Sequence, residues 1–96
     1  MLPPIILSIA GSDCSGGAGI QADIKTISAL GGYAASVITA VTAQNTLGVQ
    51  SVYPIPVDMV KAQITSVMDD LRPDAVKIGM VHDASIVTTI VDCLQT

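Results

Sequence analysis

Apolar positions recur along this chain in two alternating rhythms. Ile5 to Ala10 (IILSIA) is a short β-branched run that ends at Gly11 and predicts a buried strand. From Ile20 the period lengthens. Ile20, Ile24, Ile27 and Leu30 recur at helical spacing, and Gly31-Gly32 ends that helix as a C-cap. Tyr33 to Ala43 (YAASVITAVTA) is rich in β-branched and small residues and predicts a second buried strand. Val49 to Tyr53 predicts a short third strand, and Pro54 and Pro56 then break the chain. Val57, Val60, Ile64, Val67, Met68 and Leu71 form the apolar stripe of a second helix, which Pro73 closes. Ala75 to Gly79 (AVKIG) predicts another strand, and Asp83 is the expected N-cap of a last helix whose face is Val87, Ile90, Val91 and Leu94.

The resulting order, β-α-β-(β)-α-β-α, points to an α/β fold with a mainly parallel sheet and helices packed over it. Strands covered on both faces read as continuous apolar runs, as these do. A parallel sheet expects a further strand after its last helix, and the 96 residues end on a helix. Residues 1–96 are therefore expected to be the opening section of a larger α/β domain.

Composition narrows the class. Hydrophobic residues make up 50% of the chain and charged ones 12%, the reverse of a disordered sequence. Four basic residues, Lys25, Lys61, Arg72 and Lys77, are scattered against eight acidic ones for a net charge of −4. With Phe and Trp absent and only Tyr33 and Tyr53 aromatic, a nucleic-acid binder is excluded. The apolar runs are far too short to cross a bilayer. Met1 to Leu7 lacks the basic start and cleavage site of a secretory signal. Cys14 and Cys93 make no metal-ligand spacing and read as free thiols of a cytoplasmic protein. So little surface charge implies that part of the surface is covered by more protein.

The segment GSDCSGGAG, residues 11–19, follows a strand and opens a helix at the rim where open α/β sheets bind ligands. A P-loop requires Lys after its second glycine, but Gly17 follows Gly16. Gly17 to Ala22 does match a dinucleotide fingerprint, yet no acid to hold a ribose occurs between Asp23 and Asp58. What remains is a backbone-rich loop with Asp13 inside it and Asp23 a turn into the helix, whose free N–H groups would attract anions or polar ligand atoms. The plain alternative, weighted equally, is a tight turn with Asp13 or Ser15 capping the helix. Gln44 and Asn45 fall at the end of the second strand on the same rim. An amide there both donates and accepts, which suits the edge of a heterocycle, although a polar turn is the ordinary reading. Met80 ends the next strand, where a thioether can line an apolar pocket, although alone it reads as core. Cys14 and His82 could form a nucleophile pair, but an incidental thiol and a surface histidine are favoured. Asp69 and Asp70, beside Arg72, read as a solvated face, and no metal-ligand cluster stands out.

Taken together, three blocks carry a resemblance. Gly11-Ser12-Asp13-Cys14-Ser15-Gly16-Gly17-Ala18-Gly19-Ile20-Gln21-Ala22-Asp23 with Lys25-Thr26 resembles the N-terminal signature of the hydroxymethylpyrimidine/phosphomethylpyrimidine kinases, thiamine-biosynthesis enzymes of the ribokinase-like superfamily. Ser36-Val37-Ile38-Thr39-Ala40, then Ala43-Gln44-Asn45-Thr46 and Gly48-Val49-Gln50-Ser51-Val52, resembles that family's next block, and Lys77-Ile78-Gly79-Met80 its third.

The resemblance implies a ribokinase-like three-layer fold of which residues 1–96 are the N-terminal, substrate-side portion. It implies ATP- and Mg-dependent phosphorylation of the pyrimidine's hydroxymethyl group and then of the monophosphate. Gln44 would hydrogen-bond the pyrimidine, Asp23 and Gly11 would lie beside it, and Met80 would pack on its face. The ATP site, the anion hole and the catalytic base would lie beyond Thr96, so no catalytic or metal-binding residue is expected in this chain, and the segment alone is expected to be inactive. Cys14 stands where the family has Ser or Pro, with its side chain expected to face away from the chemistry. The expected partners are a small pyrimidine and either further copies of the chain or the rest of the domain, with neither nucleic acid nor membrane. Alternatives are a pyridoxine/pyridoxal kinase of the same superfamily, or a non-catalytic small-molecule-binding or assembly module.

Overall fold

The computed structural model describes residues 2–79, 81 and 84–95. Its central strand is the first apolar run, β1 (Ile5–Ala10), whose last four residues are all buried. β1 pairs in parallel on one side with β2 (Tyr33–Ile38) and on the other with β5 (Ala75–Ile78). The helix α1 (Gly19–Ala29) carries the chain from β1 to β2. It ends in a Schellman turn in which Gly32 donates to the Ile27 carbonyl at 2.9 Å and Gly31, at φ +89°, to that of Ser28 at 3.1 Å. The other face of the sheet is covered by α2 (Val57–Asp70) and α3 (Ala84–Leu94). There Leu7, Ile9 and Val37 from the strands meet Val60, Ile64, Ile86 and Ile90 from the helices in one buried cluster.

Two expectations are corrected. Tyr33 to Ala43 is not a single strand. At Thr39 the chain leaves the parallel sheet, and β3 (Ala40–Asn45) pairs antiparallel with β4 (Gly48–Pro54) as a separate two-stranded flap. β1 turns away into the glycine loop after Ala10, so the strand beside it must find another backbone partner. The switch is made by Thr39 N–H donating to Ala10, Ser12 N–H to Ala40, and Ile55 N–H to Thr39. The second correction concerns α3. Ile86 and Ile90 are its buried residues, whereas Val87 and Val91 are each 44% exposed. A helix reading ASIVTTIVDCL is apolar on most sides, so contact with Ile64 and Val60, and not the pattern, selects its inner face. The expected cap Asp83 lies outside the described residues.

Candidate functional site

Parallel pairing brings the C-terminal ends of β1, β2 and β5 to one rim. From that rim rise the glycine loop and the β3–β4 flap. Between them lies a cleft of about 310 Å³, walled by Gly11 and Gly19 of the loop, Thr42 and Gln44 of β3, and Lys77 and Gly79 at the end of the sheet. Alternation along β3 sets the wall, since Ala40, Thr42 and Gln44 share its inner face. The volume is at the low end for small-molecule sites and suits a ligand of about one ring. A second hollow of about 370 Å³, between α2 and α3, involves Lys61, Asp69 and Asp92 and shares no residue with the rim.

The glycine loop is not the anion site its composition suggests, because it contains its own anion. Asp13 is buried at 3% exposure, and its Oδ1 accepts from the Ser15 amide (2.9 Å) and hydroxyl (2.6 Å). Its Oδ2 accepts from the amides of Gly17 (3.1 Å) and Ala18 (2.8 Å). The Ser15 hydroxyl has the largest effect on the carboxyl and lowers its pKa; burial opposes, and the three amides lower it further, leaving it below the ordinary value. Neither Asp13 nor Ser15 caps α1 as expected. The cap is Ala18, with no side-chain bond, and Asp13 grips the turn before it. Gly19, at φ +61°, is needed there, since a Cβ would collide with the Gly11 carbonyl oxygen, which accepts from Ile20 N–H at 2.9 Å.

Gly11 and Gln44 thus meet in the cleft. Thr42 ties the flap to the loop through its amide, which donates to Ser12 Oγ (3.1 Å), and its hydroxyl, which donates to the Ser12 carbonyl (2.7 Å). The same hydroxyl lies 3.1 Å from Gln44 Oε1. The two contacts share one hydroxyl hydrogen, and among the described residues the Gln44 NH2 makes no hydrogen bond. Cys14 is exposed and is not among the residues that line the cleft. Its Sγ donates to the Gln44 carbonyl at 3.0 Å and accepts from the Gln44 amide at 3.2 Å, so the thiol clasps the flap to the loop at that residue. Asn45 belongs to the turn, where its Oδ1 accepts from Leu47 N–H at 2.9 Å.

Asp23 is not itself on the cleft wall. It reaches the cleft through Lys77, whose Nζ donates to Asp23 Oδ2 at 2.9 Å, while Ser8 Oγ donates to the same oxygen at 2.6 Å. Burial pushes the Asp23 carboxyl up, and the Ser8 hydroxyl and Lys77 ammonium together outweigh it, leaving the group below its ordinary value. Sequence reasoning passed over Lys77 and Ser8 as site residues. The available signal was one polar residue inside each of two buried-looking strands, IILSIA and AVKIG. Met80 and His82 lie outside the described residues, so the packing expected of Met80 and the Cys14–His82 pair lie outside them too. Among the described residues no three His, Cys, Asp or Glu side chains are placed to hold a metal, and no helix is long and apolar enough to cross a membrane.

The fold that carries the glycine loop, the flap and the rim cleft is that of the ribokinase-like kinases. A phosphomethylpyrimidine kinase from Clostridium difficile 630 superposes with a TM-score of 0.93 at 55% identity, covering 96% of this chain and 40% of that one. Pyridoxal kinase from Staphylococcus aureus, solved with AMP-PCP and pyridoxal, superposes at 0.89 with 32% identity, covering 99% and 35%. Hydroxymethylpyrimidine/phosphomethylpyrimidine kinase of Salmonella typhimurium is 61% identical over 89 residues, 93% of this chain and 34% of that protein. The family model for phosphomethylpyrimidine kinase matches residues 13–96, and the chain belongs to that family. It spans about a third of the length of the curated relatives it matches.

Proposed function

We propose that the native polypeptide carrying this segment is an ATP-dependent kinase of 4-amino-5-hydroxymethyl-2-methylpyrimidine and of its monophosphate, acting in the cytoplasm in thiamine biosynthesis. Residues 1–96 form the substrate-side portion of its kinase domain, with Gly11, Asp23, Gln44 and Met80 around the pyrimidine. The observation that carries this reading is the Gln44 carboxamide, which lines the cleft together with Gly11 and whose NH2 makes no hydrogen bond among the described residues. An amide so placed can read the adjacent donor and acceptor of an aminopyrimidine edge. The identity gap supports the same choice, at 55% and 61% to the two pyrimidine kinases above against 32% to the Staphylococcus aureus pyridoxal kinase.

The glycine-loop amides do not fit the phosphates of ATP, because Asp13 already occupies those of Ser15, Gly17 and Ala18. No step of phosphoryl transfer is therefore assigned to these residues. Their part is to bind the pyrimidine, orient it and wall it from water, while nucleotide, Mg2+ and any further copies of the chain engage elsewhere.

The test is ADP formation by the native polypeptide with the hydroxymethylpyrimidine and, separately, with pyridoxal. Turnover of the pyrimidine is expected, and Gln44→Ala is expected to raise its KM roughly tenfold, the equivalent of about 1.4 kcal/mol, with the KM for ATP unchanged. Turnover of pyridoxal alone would replace this reading with the pyridoxal kinase. ADP from neither substrate would leave a binding module.

A further inference from the structure

We propose that Lys77 and Ser8 are positioning residues for ligand recognition, fixing the Asp23 carboxylate by one oxygen behind the cleft wall and leaving its other oxygen to accept a hydrogen bond from a pyrimidine that reaches in past Lys77. The inference rests on the reading of Asp23 as a ligand contact. Ser8 is fully buried in a strand whose other residues are all apolar, a placement that packing alone does not explain. Its register partner across the parallel ladder is Lys77. Paired residues on adjacent strands project to the same side of a sheet, so hydroxyl and ammonium emerge together beneath α1. Both converge on Asp23 Oδ2, at 2.6 and 2.9 Å, while no hydrogen bond is made by Oδ1 among the described residues.

Two donors rooted in two neighbouring strands hold a side chain on a helix, so the carboxylate is locked against rotation and kept as an acceptor. Other charges nearby are committed elsewhere. Lys25, on the same helix, donates to the Gly16 carbonyl at 2.8 Å, and Asp13 is consumed by the loop. β1 contributes Ser8 and no charged residue. Lys77 is thus the cation that faces Asp23, and it is also part of the cleft wall. Its side chain is 52% exposed, so as an ion pair it adds little to stability, and its removal tests positioning and not folding.

The experiment uses Lys77→Met, Lys77→Arg and Asp23→Asn in the native polypeptide, reading the pyrimidine and ATP KM values between about pH 5 and about pH 8. The Asp23 carboxyl titration is followed in parallel by 13C NMR. In Lys77→Met the carboxyl is expected to titrate at higher pH than in the unaltered protein. The pyrimidine KM should rise at least about fivefold, with the ATP KM unchanged. Lys77→Arg should restore both. An unchanged pyrimidine KM in Lys77→Met, or an equal rise in both KM values, overturns the proposal. If Asp23→Asn leaves the pyrimidine KM unaltered, the ligand-contact reading falls and the proposal with it. If Asp23→Asn raises that KM and Lys77→Met does not, the positioning proposal alone fails.

Discussion

Replacing Gly19 by Ala separates two effects that usually come together, because Gly31 provides an internal reference. Both glycines have positive φ, +61° and +89°, so either substitution forces a Cβ into a region costing about 1–2 kcal/mol. Both also lower the entropy of the unfolded chain by the same amount, a gain that cancels in the comparison. The surroundings differ. Nothing lies within 4 Å of a Cβ built on Gly31, whereas one on Gly19 strikes the Gly11 carbonyl oxygen and sits 3.3 Å from the Asp13 nitrogen. These are backbone atoms that cannot swing aside as a side chain would. The Gly11 carbonyl must retreat, and its 2.9 Å bond from Ile20 N–H is lost. A hydrogen bond of that kind is worth about 1 kcal/mol, and the displaced loop adds a comparable amount. Gly19→Ala should therefore be about 1–2 kcal/mol less stable than Gly31→Ala by urea denaturation of the native polypeptide. It should also weaken pyrimidine binding, since Gly11 is part of the cleft. Stabilities within about 0.5 kcal/mol of each other would refute the claim that Gly19 is there for close approach and not merely for its dihedral angle.

Asp13→Asn should loosen the glycine loop, seen as faster amide exchange at Gly17 and Ala18. The folded carboxyl titrates below its usual 3.8, so its stabilisation is present above that value and lost as pH falls through the lower folded one. The acid-unfolding profile of the variant should accordingly be flatter below about pH 4 than that of the unaltered protein. Ile64→Ala, at a site 1% exposed, should cost about 2–5 kcal/mol, whereas Val87→Ala, at 44% exposed, should stay within about 0.5 kcal/mol. Equal losses in the two variants would mean that α3 packs through the face its sequence suggests.

Local chemistry was enough to read the sheet and its helices from the residues. The β-branched run of β1, the helical spacing from Ile20 and the glycine pair at 31–32 each act within a few positions, and each element formed where its pattern placed it. The glycine loop, Gly11 and Gln44 were legible as rim residues because strand, loop and helix follow one another, and a parallel sheet collects such ends on one side. Identity with the family rested on the same short blocks.

Tertiary structure decided what depended on distant backbone and on competition between partners. Whether Tyr33 to Ala43 remained one strand turned on Ala10 ending its neighbour, a fact held almost thirty positions away. Whether loop amides were free turned on where the Asp13 carboxylate folded, and side-chain direction is not written in residue type. Cys14 reached Gln44, and Lys77 reached Asp23 across 54 positions, only once flap and sheet had come together. Sequence fixes what a short stretch can satisfy by itself, and the fold decides which of the remaining donors, acceptors and apolar faces find one another.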